Sequence, residues 1–210
     1  SFENLLCATN FAKGDSILNL NSFIDAWMKM DTSIASSTLI FSVNSIDIKN
    51  GEFRLDDFND EIKKDSLDYS HLCFSKIDAE IKPISIYPDS FCLSVKNLNL
   101  IEKRMNLPVR NLSCDFSISS KYMSFDHIRV SFLENFIAGF LRFNYDKPGD
   151  MADFNEKVNM TLRLDTSSVY LKDISIFAPT GKEIPGLVYA TGSYIGKTGD
   201  FFLENVILKS

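Results

Sequence analysis

From Phe74 to Leu208 apolar residues fall on alternate positions, and no other feature of the chain limits its possible folds so sharply. Ile77, Ala79 and Ile81 set the pattern, followed by Phe91, Leu93 and Val95, then Leu112, Cys114, Phe116 and Ile118. Ile128, Val130 and Phe132 continue it, then Val158, Met160, Leu162 and Leu164. A period of two puts each set on one face of an extended strand, because successive side chains point to opposite sides. The positions between are Ser, Lys, Asp, Asn and Arg, so each strand has one dry face and one wet face. That is the signature of an antiparallel sheet, since the strands of a doubly covered parallel sheet read as continuous apolar runs. Phe136 to Tyr145 is apolar in both registers and reads as a strand covered on both sides.

Turn signals at Pro83, Pro88-Asp89, Asn106-Leu107-Pro108 and Lys147-Pro148-Gly149 keep the predicted connections short. Upstream, Leu39 to Phe41, Ile46 and Ile48 lead to Asn50-Gly51 and on to Phe53 and Leu55. The Asn-Gly dipeptide suits a two-residue turn, which predicts a hairpin there. Asp56 to Tyr69, with Asp56, Asp57, Asp60 and Glu61 bunched, reads as an exposed loop. Two segments change period. Leu20, Phe23, Ile24, Trp27 and Met28 have helical spacing, with Asn21 or Ser22 as cap, and predict an amphipathic helix over 22–30 that Trp27 anchors to the sheet. Leu171, Ile174 and Phe177, ended by Pro179, predict a short helix over 171–178 that plugs or caps the sheet. The expectation is an all-β fold, a mainly antiparallel, elongated and curved sheet forming an open apolar groove. Its strands lie within 39–165 and 186–208, and residues 1–210 form one folded segment of a larger protein.

Composition narrows the function. The chain is 45% hydrophobic and 24% charged, as folded proteins are, and its net charge of -6 with scattered basic residues opposes binding to nucleic acid. No apolar run reaches the roughly 18 residues of a membrane-spanning helix. The chain begins at Ser1 without a signal sequence, so any export signal or anchor is expected outside it. Cys7, Cys73, Cys92 and Cys114 form no C-x-x-C pair and read as small buried hydrophobes.

No motif for chemistry survives scrutiny. Asp57, Asn59 and Glu61 have the alternate spacing of a calcium loop without the glycine that turns it. Gly192 to Thr198 resembles a phosphate loop, but three residues separate its glycines where four are needed, and a strand-like run follows instead of a helix. His71 and His127 lie within or beside strands with no accompanying hydrolase or metal motif and read as structural. No cofactor, metal or catalytic residue is expected.

Several segments together resemble the AsmA/TamB superfamily in its Bacteroidota form. Ile46 to Leu55 is similar to the family's paired strands, and Asp68-Tyr69-Ser70 with Ile77 to Ile81 to the next pair. Val109 to Phe116, Ile128 to Val130 and Phe136 to Gly139 follow the family's progression. Ser168-Val169, Asp173-Ile174, Phe177, Pro179, Gly192 and Gly196 look like its strand, short helix and returning strand. The resemblance implies a periplasmic protein anchored in the inner membrane, whose curled sheet carries phospholipids toward the outer membrane. It also implies an outer-membrane β-barrel as a partner through other parts of the full protein, and no active site.

Such a groove needs only a dry strip, since each methylene removed from water is worth about 0.8 kcal/mol. An open sheet edge leaves the charged headgroup hydrated. The candidate lining is Ile77, Ile81, Phe91, Leu93, Leu112, Phe116, Ile128, Val130, Phe132, Met160 and Leu162, all residues that also serve ordinary core packing. The same alternation suits a closed β-sandwich whose dry faces meet, which would turn the function toward adhesion, carbohydrate binding or structural spacing at a cell surface.

Overall fold

The computed structural model describes residues 1–11, 13–14, 41–64, 66–177 and 186–209. The alternation is realised as twelve strands in one sheet: β1 (Phe2–Glu3), β2 (Leu6–Phe11), β3 (Phe41–Val43), β4 (Ile46–Asp57), β5 (His71–Ile86) and β6 (Ser90–Glu102), then β7 (Leu107–Ser119), β8 (Tyr122–Phe132), β9 (Asn135–Asn144), β10 (Asn159–Tyr170), β11 (Leu187–Lys197) and β12 (Asp200–Lys209). From β4 to β12 each strand is antiparallel to the one before it. β3 pairs with β5 beyond the start of β4, while β1 and β2 run parallel to β4 along its other side. The fold is all-β and the sheet is open, with β12 at one lateral edge. The described strands all belong to this one sheet and not to two facing sheets.

Several local expectations are corrected. Asn50-Gly51 makes no hairpin: β4 runs straight through it, and the partner of Ile46 and Ile48 is β5. Asn50 does take the left-handed conformation that favours Asn (φ 50°), but as an extra residue bulged out opposite Asp78, whose carboxylate accepts its amide at 3.0 Å. Pro83 likewise lies inside β5, at a register shift between Ile81 and Ile84, where a missing donor is tolerated. Lys147-Pro148-Gly149 opens a 3-10 segment (Pro148–Asp153) that runs into α1 (Phe154–Lys157), so the link from β9 to β10 is long rather than short. The helix after β10 is confined to α2 (Leu171–Ile174), followed by a turn through Phe177. Ala178 and Pro179, and the predicted helix 22–30 with Trp27, lie outside the described residues, as do Leu39 and Ile40.

The bulge at Asn50 is one of a set. Lys76, Asn111, His127 and Asn205 also have φ near 50° and stand at register shifts in β5, β7, β8 and β12. Each adds a residue to one strand and strengthens the local right-handed twist, which bends the sheet. Without these shifts the parity of alternation would carry apolar side chains to the wrong face halfway along a strand.

Candidate functional site

Cross-strand register assembles one continuous dry face. Residues opposite one another point to the same side. Ile86, Phe91 and Ile118 form one row across β5 to β7, and Leu93, Phe116, Phe125, Leu141, Leu162 and Tyr194 form another across β6 to β11. Ile81 pairs with Val95, Leu112 with Leu98, Ile128 with Gly139, Val130 with Ile137, Phe132 with Val109 and Met160 with Phe143, while Ile77 faces Gly51. All eleven candidate residues therefore share one side of the sheet. Phe116 contacts both Phe91 and Phe125, with ring centroids 6.3 and 5.1 Å away. Most of this face is half-buried: of the eleven, only Phe132 is fully buried. Cys114 lies on it opposite Val95, and burial, with Asp115 and Asp126 adding to it, pushes its thiol up to about 11. Cys92 does not: it stands between Ser85 and Ser117 on the wet face. All four cysteines are free thiols, and Cys7 is exposed.

Both ends of this face are shaped by connections. At one end Phe154 of α1 packs edge-on against Phe143, centroids 5.3 Å apart. At the other, the segment after β10 reaches across the sheet. The Leu67 amide donates to the Ile176 carbonyl at 2.6 Å, and the Tyr69 hydroxyl donates to the Phe177 carbonyl at 3.3 Å. In a flat sheet β5 and β10 would stand roughly 24 Å apart, at about 4.8 Å per strand. The bond between the loop ahead of β5 and the segment after β10 therefore reaches over the four strands between them. Phe177 meets Phe132 edge-on at 5.3 Å, and beneath α2 lies an apolar hollow of about 580 Å³. Its walls include Phe132, Ile137, Leu164, Val169, Val188 and Leu208, and Lys209 is the one charged residue that borders it.

Of the predicted lining only Phe132 borders the hollow. Val169 is absent from the predicted lining, since it is five residues beyond Leu164, the wrong parity for one face. The irregularity between Leu164 and Ser167 restores that parity, and an irregularity of this kind has no fixed sequence signal.

Buried polar groups pin the capped end. Asn135, 2% exposed, donates from Nδ2 to Asp173 Oδ2 at 2.7 Å, and its Oδ1 accepts the Tyr170 amide at 2.6 Å. Asp56 and Asp68, both placed in an exposed loop by the sequence reading, are buried. Asp56 belongs to β4 and holds Arg54 and Arg104, the latter at 3.4 Å. Asp68 lies 2.9 Å from His71 Nδ1 and 3.8 Å from Arg104, and accepts the amides of Lys63 and Ser70. Burial raises its carboxyl, but the Lys63 amide, His71 and the Ser70 amide outweigh that and hold it below the usual range. Asp57 Oδ1 is occupied by the amide and side chain of Asn59 in a local turn.

The wet face carries a second constellation. Ser94 donates to Asp115 Oδ1 at 2.5 Å, and His127 Nδ1 lies 3.0 Å from the other oxygen. The carboxylate sits between hydroxyl and imidazole, so the imidazole is not the hydroxyl's partner, as nucleophilic activation requires. Among the described residues no group of three or more His, Cys, Asp or Glu side chains is placed to hold a metal ion, and no helix is long and apolar enough to cross a membrane.

No family model, curated protein or solved structure matches the chain.

Proposed function

We propose that the dry face is a trough for the acyl chains of phospholipids, and that the chain is a non-catalytic periplasmic segment of an AsmA/TamB-like envelope protein that takes part in lipid transport and outer-membrane assembly. The observation that carries this reading is an apolar face shared by successive strands of a single-layer sheet and deepening into an apolar hollow of about 580 Å³. Apolar contact gains free energy in proportion to the area removed from water and asks for no polar complementarity, which suits acyl chains of varied length. The open lateral edge leaves a headgroup in water. In this reading the membrane anchor and any β-barrel partner belong to other parts of the full protein, and the resemblance of Ile46–Leu55 and Ser168–Gly196 to that superfamily supplies the cellular setting.

Native mass spectrometry of the purified chain, with lipid extraction, tests the proposal. Phospholipid is expected to copurify, and Val169→Asp, which puts a carboxylate in the wall of the hollow, is expected to lower its recovery severalfold. A lipid-free protein that instead binds glycans would overturn the reading in favour of a surface module.

A further inference from the structure

Leu171, Ile174 and Phe177 roof the hollow, and the two ends of that roof are held differently. The β10 end is fixed by a buried network. Asn135, 2% exposed, accepts the Tyr170 amide at 2.6 Å and donates to the Phe132 carbonyl at 3.1 Å and to the buried Asp173 carboxylate at 2.7 Å. The Leu171 amide adds a bond of 3.0 Å to the Gly186 carbonyl, just ahead of β11. The far end is held by two bonds from the loop ahead of β5, the Leu67 amide to the Ile176 carbonyl and the Tyr69 hydroxyl to the Phe177 carbonyl, and Tyr69 is 58% exposed. Between its ends the segment is bonded to itself. The Ile176 amide donates to the Asp173 carbonyl at 3.2 Å, the Phe177 amide to the Ile174 carbonyl at 3.0 Å, and the Ser175 hydroxyl to the Lys172 carbonyl at 2.6 Å.

We infer that residues 171–177 are a hinged strap, with Asn135 and Asp173 as its hinge and Leu67 and Tyr69 as its latch, which opens at the latch to admit an apolar chain to the hollow and closes over that chain. Breaking the hinge would strand buried polar groups, whereas a latch bond in reach of water is exchanged for one to water at small cost. A segment bonded along its own length therefore swings as one piece about Asn135. The swing lifts Phe177 from Phe132, which is only 6% exposed in the closed state. Exposing that ring and the other apolar walls is unfavourable, so the empty strap rests closed. A chain in the hollow touches Ile174 and Phe177 only when the strap is down, and that differential contact holds it shut. The identity of the occupant rests on the acyl-chain reading of the hollow, whereas the hinge and the latch do not.

Amide hydrogen exchange of the 210-residue chain, with and without palmitate, tests the inference. Without palmitate the Leu67 amide should exchange by local opening, well ahead of the Tyr170 amide at the hinge. Tyr69→Phe should speed Leu67 exchange about fivefold, since it removes one exposed hydrogen bond, and leave Tyr170 unchanged. Palmitate should slow Leu67 exchange in step with its occupancy measured by native mass spectrometry. The strap is overturned if Leu67 and Tyr170 exchange together, if Tyr69→Phe moves both or neither, or if bound palmitate leaves Leu67 unaffected. Palmitate that fails to bind would instead overturn the acyl-chain reading and with it the occupant, while the ligand-free rates still decide the hinge and the latch.

Discussion

Asp68 occupies a stretch whose composition signals solvent, yet it is buried at 3% exposure, beside His71 at 5%. Acidic side chains in sequence tell little about burial when their partners, Arg104 and the Lys63 and Ser70 amides, arrive from elsewhere in the fold or from the backbone. Because the folded state holds the Asp68 carboxyl below its usual range, its contribution is complete at neutral pH. That contribution is lost as pH falls through the ordinary carboxylate range, about 4, and below it. Asp68→Asn should cost about 2 kcal/mol at pH 7 and flatten the acid limb of stability against pH. Chemical denaturation between neutral pH and about 3 would read both effects, and an unchanged acid limb would show that Asp68 makes no such contribution.

At the scale of elements, strand type was written in the alternation, whereas strand continuity was not. Asn50-Gly51 satisfies a hairpin turn and a bulge equally, since both use a left-handed residue, and only the neighbour β5 decides between them. Close approach between strands is likewise invisible until they pair. A Cβ on Gly139 would stand 2.0 Å from the Arg163 carbonyl oxygen, whereas one on Gly149 would meet nothing within 4 Å. Gly139→Ala should therefore part β9 from β10 and cost about 2 kcal/mol, while Gly149→Ala should change stability by no more than about 0.5 kcal/mol. Thermal unfolding of the two variants side by side provides the check, and equal midpoints would contradict the tight β9–β10 contact.

Across the whole molecule, an open single-layer sheet buries less apolar surface than a sandwich of equal mass. A compact protein of this length would unfold with a heat-capacity change of roughly 2.5–3 kcal/mol/K, from about 12–15 cal/mol/K per residue. The chain should fall clearly below that, and phospholipid should raise its unfolding temperature by binding the folded state alone. Calorimetry with and without lipid would show both. A full-sized heat-capacity change would mean that the dry face is covered in solution.

By itself the sequence determined that this chain forms antiparallel strands with one dry and one wet side, because a period of two admits no other regular structure. It also determined that Ile77, Phe116, Ile128, Met160 and the rest of the predicted lining share a side, since alternation and cross-strand pairing preserve parity between bulges. Whether that side met a second sheet was beyond it, for a half-buried residue and a core residue have the same hydrophobicity. The tertiary structure placed every described strand in one sheet, joined Leu67 to Ile176 and seated Phe177 on Phe132. The Leu67–Ile176 bond connects residues more than a hundred positions apart in sequence. No local pattern records contacts of that range, because their partners are chosen by the bend of the sheet between them.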